Sequence, residues 1–268
     1  LSLVKKIMMV EKIDITAKNN ANQTILFQAV NSKNLELVKY LISLDKFDPN
    51  IKDESKRTLL HHSCSNGNLE IFKYLISLNK IDMNAKDKYD RNILHYACQS
   101  GNLELVEYII STDKVELTDE DKDGSNNLHF SCQSGNIELV QHLILLNKLN
   151  ISSKNHHNKT CLHFACEHDS LPLVKYLIQL HEIDILSKDI HGHTILDYSS
   201  KHKSFKLAKY LITFDLFDLN AFDAHKNTIL HNAAREGNYD LVEYLITNHK
   251  VNVNSVNDMD ETILHLSC

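Results

Sequence analysis

The sequence predicts an all-α solenoid of stacked helix-turn-helix units joined by hairpin-like turns, and three observations carry that expectation. A seven-residue stretch, Thr160-Cys161-Leu162-His163-Phe164-Ala165-Cys166, returns in variant form every 34 residues along the 268-residue chain. Its leucine never changes: Leu26, Leu60, Leu94, Leu128, Leu162, Leu196, Leu230 and Leu264. All six glycines fall in two turn columns of the same period. A fixed period over a whole chain means that each unit packs chiefly on its neighbours.

The windows follow from the phase. Residues 1–16 read as a partial repeat, a second helix and its exit. Full repeats occupy 17–50, 51–84, 85–118, 119–152, 153–186, 187–220 and 221–254, and 255–268 is a second partial repeat. Within 85–118, Asp87-Lys88-Tyr89-Asp90-Arg91 opens the repeat. The Asp90 column also holds Asn22, Gly124, Asn158, Gly192 and Asp260, types that tolerate positive φ, so a tight turn belongs there. Asn92 follows in a column of Thr and Asn, expected to cap a first helix from about Ile93 to Ser100. Gly101, with Gly67, Gly135 and Gly237 in its column, ends that helix. Asn102 caps the next, in a column of Asn and Ser, and Glu104 sits in its first turn, where the helix dipole favours an acid. The second helix, Leu103 to about Ile110, carries the apolar pairs Leu105-Val106 and Ile109-Ile110, one broad buried stripe. Neither helix can bury its apolar face alone, and stacking does it for both.

Composition narrows the function classes. Apolar residues at 43% suffice for a core, and a net charge of −6 gives no electrostatic footprint for nucleic acid. No apolar run approaches the ~18 residues of a membrane span. Five of the six cysteines share one column, Cys64, Cys98, Cys132, Cys166 and Cys268. Stacked helices lie about 8–10 Å apart, beyond the roughly 7 Å Cα limit of a disulfide. These thiols are expected to be reduced and buried, which points to the cytoplasm or nucleus. No catalytic motif stands outside the repeat pattern, so no enzyme activity and no cofactor are expected. His-x-x-Cys occurs five times, as in His61…Cys64, but it recurs once per repeat with no second ligand pair, so it is read as packing rather than as a metal site. The chain starts without Met and its ends cut repeats, so a piece of a larger protein is expected.

The columns Asp…Gly-x-Thr-x-Leu-His-x-Ala-Cys-x-x-Gly-Asn-Leu-Glu-Leu-Val-x-Tyr-Leu-Ile…Asp-x-Asn resemble the ankyrin repeat over the whole chain. Two departures stand out. The position after the cap Thr lacks the usual Pro, and each repeat is one residue longer than the family's usual unit. The extra residue is expected just after the second helix, at pairs such as Asp45-Lys46, Asn79-Lys80 and Asn147-Lys148, where Asp or Asn adopts positive φ.

The resemblance implies a non-catalytic scaffold, a monomeric array that binds a protein partner with its hairpin tips and the inner face of its first helices. Carried over residue by residue, the tip candidates are Arg57, Lys88, Tyr89, Arg91, Lys122, Asp123, His156, His157, His191, His193 and His225. The inner candidates are Gln99, Gln133, Glu167, His168, His202 and Arg235. Tyr89 with Arg57 and Arg91 is the expected hot spot, because Tyr and Arg dominate such sites. Two alternatives stand beside this one. The array could be the targeting arm of a larger enzyme or adaptor. The histidines at 156, 157, 191, 193 and 225, with His168 and His202, could make a pH- or metal-responsive face. The repeat 187–220 reads as divergent: Asp197 replaces the motif His, Ser199 and Ser200 occupy the small core columns, and Lys203 stands where four repeats have Gly.

Overall fold

The computed structural model describes residues 2–8, 14–201, 205–248 and 251–267. They form helices and turns, with an isolated antiparallel bridge between Glu120 and Asn126 as the β-type pairing assigned among the described residues. The helices are α1 (Ser2–Met8), α2 (Ile25–Asn31), α3 (Leu35–Ser43), α4 (Leu59–Ser65), α5 (Leu69–Ser77), α6 (Ile93–Ser100), α7 (Leu103–Ser111) and α8 (Asn127–Ser134). They continue with α9 (Ile137–Leu145), α10 (Cys161–Glu167), α11 (Leu171–Gln179), α12 (Ile195–Ser200), α13 (Lys206–Ile212), α14 (Ile229–Arg235), α15 (Tyr239–Asn248) and α16 (Ile263–Leu266). The contacts group residues 1–130 and 131–268 into two compact units. In the first unit, first helices α2, α4 and α6 pack in succession; in the second, α10, α12, α14 and α16 do the same.

The helix ends sit where the turn columns place them. Residues at the tip turn all have positive φ: Asn22, Lys56, Asp90, Gly124, Asn158, Gly192, Lys226 and Asp260. So do Lys33, Gly67, Gly101, Gly135, Asp169 and Gly237 after the first helix. The additional residue of each repeat lies after the second helix, where Asp45, Asn79, Asp113, Asn147, His181 and Asp215 have φ near +50° to +56°. Short polar side chains stabilise this left-handed residue by bonding locally, which is why the position tolerates the absence of glycine. The Asn caps of the second helices work as expected: Asn34, Asn68, Asn102 and Asn136 accept from the N–H three residues on. Lys203 and Cys268 lie outside the described residues.

The core is the leucine column with the second-helix stripe. Leu26, Leu60, Leu94, Leu128 and Leu162 are wholly buried, while Leu264 in α16 is exposed. Cys64, Cys98, Cys132 and Cys166 are buried and unoxidised, and burial pushes the thiols of Cys64, Cys98 and Cys166 far up.

The motif histidine locks each first helix to its cap. In all six repeats that carry it, the backbone N–H of the cap residue donates to histidine Nδ1 at 3.1–3.2 Å. Nε2 of His61, His95 and His231 reaches a carbonyl of the following tip segment, Arg91, Asp119 and Glu261 respectively, each at 3.2 Å. An N–H only donates and a carbonyl only accepts, so the neutral tautomer carries its proton on Nε2. Thr58, Thr160 and Thr228 also direct their hydroxyls to the same Nδ1 at 2.9 Å, joining cap and histidine in a capping box. Where Phe27 replaces the histidine, the Thr24 hydroxyl is buried without a partner.

Candidate functional site

The tips are built on one acid or amide per repeat, the column that opens each repeat, as at Asp87. Asn19, Asp53, Asp87, Asp121, Asn155, Asp189, Asp223 and Asn257 each accept, through Oδ1, the N–H two residues on and the N–H four residues on, at 2.8–3.0 Å. The same residues donate their own N–H to the carbonyl four residues on, closing the turn. The signal was present in the sequence as a column of unchanging Asp and Asn, the two types that form such local turns.

Successive tips are then laced together. Glu54 N–H donates to Ala21 O, Lys88 to Ser55 O and Lys122 to Tyr89 O in the first compact unit. Ile190 donates to His157 O, Ala224 to His191 O and Asp258 to His225 O in the second, all at 2.8–3.1 Å. The backbone of each tip is therefore engaged by its neighbours, and of the variable tip side chains some are exposed while others, such as Ser125 and Asn227, are buried.

The second carboxylate oxygen of the buried acids recruits side chains. Tyr96 and Tyr198 donate their hydroxyls to Asp87 and Asp189 at 2.7 Å. His62 and Arg57 meet Asp53 at 3.0 and 2.9 Å. Burial alone would raise Asp53 and Asp189. The hydrogen bonds, from His62 and Arg57 to the first and from Tyr198 and His193 to the second, outweigh it and hold both carboxyls below the usual range.

This geometry sorts the sequence candidates. Lys88, Tyr89, Lys122, Asp123, His156, His157, His191 and His225 are exposed at the tips, and Gln99, Glu167, His168 and Arg235 are exposed at the ends of first helices, with Gln133 half-buried. Tyr89 is 46% exposed, with Lys88 Nζ 4.9 Å and Arg91 Cζ 5.4 Å from its ring centre. The arginines are less free than their types suggest. Arg57 Nη2 lies 2.8 Å from the buried Asp53, and Arg91 Nε 3.0 Å from the buried Asp121. Arg91 also covers the Phe130 ring at 5.0 Å. Arg235 donates to Asn227, and Lys159, between the rings of Phe164 and Tyr198, lies 3.4 Å from Glu167. The exposed His168 ring lies over Gly135, where a Cβ would come within 2.2 Å of its Cδ2 and would displace the ring, while the φ of +73° favours glycine there. His202 lies outside the described residues.

The histidines do not converge. His193 is half-buried, with Nε2 3.1 Å from Asp223 and Nδ1 3.4 Å from Asp189, and His225 pairs with Asp258 at 3.3 Å. The His191 and His193 rings are tilted at 50° to each other, with centres 6.0 Å apart. Among the described residues no three His, Cys, Asp or Glu side chains come together to hold a metal. No described helix is long and apolar enough to cross a membrane.

Comparison with known proteins agrees with the architecture. Family models described as "Ankyrin repeats (3 copies)" match residues 1–87, 26–121, 78–153 and 128–223, and one described as "Ankyrin repeats (many copies)" matches 211–267. No curated protein matches the chain. Among solved structures, the human ASB11 ankyrin repeat domain is similar, at 21% identity with a TM-score of 0.62, over 84% of this chain and 97% of that one.

Proposed function

The chain belongs to the ankyrin repeat family, whose arrays are generally protein-interaction modules, and we propose that it is a non-catalytic scaffold holding a protein partner on its tips and first-helix ends. The observation that carries this reading is the contrast at the tips. Eight Asx side chains and a backbone ladder fix the same frame in each repeat, while the side chains mounted on it change from repeat to repeat. A constant frame with variable outward residues suits recognition, because the loops are ordered before the partner arrives and little entropy is lost on binding. Lys88 and Tyr89 form the strongest candidate anchor: an exposed aromatic ring, edged by cations, on a preformed turn.

Affinity capture with the intact chain as bait, read by mass spectrometry, tests the proposal. Tyr89→Ala is expected to weaken capture of a specific partner by ~2 kcal/mol or more while its melting temperature stays near that of the parent. Leu94→Ala, in the core, is expected to lose ~2–5 kcal/mol of stability by leaving a cavity. A partner retained in full by Tyr89→Ala and Lys88→Ala together places the binding face elsewhere.

A further inference from the structure

The histidine that bridges one repeat to the next at His61, His95 and His231 is replaced in 187–220 by Asp197. Asp197 Oδ2 takes over the cap, accepting from Thr194 N–H at 2.8 Å and its hydroxyl at 2.9 Å. The side chain is too short to go further, and its Oδ1 has no hydrogen-bond partner among the described residues. Beside it opens a cavity of about 190 Å³, within the second compact unit, between the exit segments of two adjacent repeats.

Two properties of this cavity point to an occupant. Its polar lining includes the acids Asp197 and Asp218 and the hydroxyl of Thr194, against the single ammonium of Lys188; Asp223 also lines it, but its carboxylate is taken up by its own tip turn and by His193. Leu186, Leu216 and Phe222 also line it, and they are 43%, 52% and 53% exposed, three large apolar residues left in water at one place. Singly exposed apolar residues are ordinary; a cluster around an acidic hollow marks a binding site. Burial pushes the Asp197 carboxyl above the usual range, so a cation beside it relieves a real cost. Drug-sized ligand pockets run to about 300–1,000 Å³, so this one suits a single side chain.

We propose that the Asp197 cavity is a socket for an arginine side chain of a protein partner, its guanidinium on the Asp197 carboxylate and its aliphatic stem against Leu216 and Phe222. A guanidinium is planar and weakly hydrated, so it gives up less water than an ammonium on entering a half-apolar hollow. The methylene stem covers the apolar rim while the charged end pairs with the acid. The socket goes beyond the tip-mediated binding proposed above, and its test needs no partner, so either reading can fail alone.

The probe is n-butylguanidinium, with n-butylurea as its uncharged counterpart, titrated into the intact chain and followed by amide chemical shifts. Butylguanidinium is expected to saturate with a dissociation constant of about 1–10 mM, as befits so small a ligand. The shifts should centre on Leu186, Thr194, Asp197, Leu216 and Phe222. Asp197→Asn, which keeps an oxygen for the cap, should weaken binding at least fivefold; Phe222→Ala, at the exposed rim, should weaken it with no demand on the core. Lys188→Ala should tighten it by removing a like charge. An absence of saturable shifts, an equal response to butylurea, or unchanged affinity in both Asp197→Asn and Phe222→Ala would overturn the assignment.

Discussion

The neutral histidine is the residue on which these repeats hang, and its chemistry makes the fold sensitive to acid. Burial lowers His61, His95 and His163 from 6.5 to about 4. Protonation at Nδ1 would also set a new donor against the cap N–H that now donates to it. A depressed histidine binds its proton later in the folded chain than in the unfolded one. Between pH 6.5 and 4 the unfolded chain therefore holds more protons, and stability falls as pH falls, by up to ~1.4 kcal/mol per pH unit for each such histidine. The depressed carboxyls Asp53 and Asp189 act in the same direction at lower pH, as the pH falls from the ordinary value of 3.8. The urea midpoint is expected to drop steeply between pH 7 and pH 5. A midpoint that stays flat over that range contradicts the tautomer and the burial together. Recurrence marked the histidine as structural rather than metal-binding; its bond to the next tip was not legible, because the carbonyl that Nε2 meets lies 24 or 30 residues away.

At the scale of the element, the tip turn depends on its acid more than on its glycine. Asp87 accepts the N–H groups of Tyr89 and Arg91 and the hydroxyl of Tyr96. Asn occupies the same place at 19, 155 and 257 and makes both backbone bonds. Asp87→Asn is thus expected to be mild, whereas Asp87→Ala leaves buried donors unpaired and costs on the order of 1–3 kcal/mol or more. Thermal melts of the two variants check this, and equal losses would mean that the turn is held by its neighbours rather than by its side chain. Helix ends were readable because positive φ selects a few residue types, and those types recurred in phase. The anchoring of Arg57 and Arg91 was not readable. Both sit in a variable tip column, and the partner of Arg91, Asp121, belongs to the next repeat. Substituting Arg91 therefore disturbs stability as well as the surface, which is why Tyr89 and Lys88 are the cleaner probes of binding.

For the whole molecule, a period of 34 residues ties stability to the sum of repeats and of the interfaces between them, so one poor repeat can open while others hold. The repeat 187–220 is that repeat. Its local bonds are better than the sequence implies: Asp197 keeps the cap, and Ser199 and Ser200 donate their hydroxyls to Leu196 O and Asp197 O. Its deficits lie between repeats. The bridge that His61, His95 and His231 make to the next tip is absent here, and a cavity of about 190 Å³ lies beside Asp197; His163 Nε2, in the preceding repeat, is buried without a partner as well. Its helices are short, six residues in α12 and seven in α13, against eight and nine in α6 and α7. The α13 cap, Phe205, offers no side-chain bond, where Asn102 satisfies an N–H at the start of α7. Amide exchange is therefore expected to be faster in α12 and α13 than in α6 and α7 under native conditions. Asp197→His, which refills the hollow and restores the bridge, is expected to slow it; Ser199→Ala, which removes a satisfied hydroxyl, is not. Equal protection in the two helix pairs would show that flanking interfaces set local stability here, and that the cavity beside Asp197 carries no cost in the folded array.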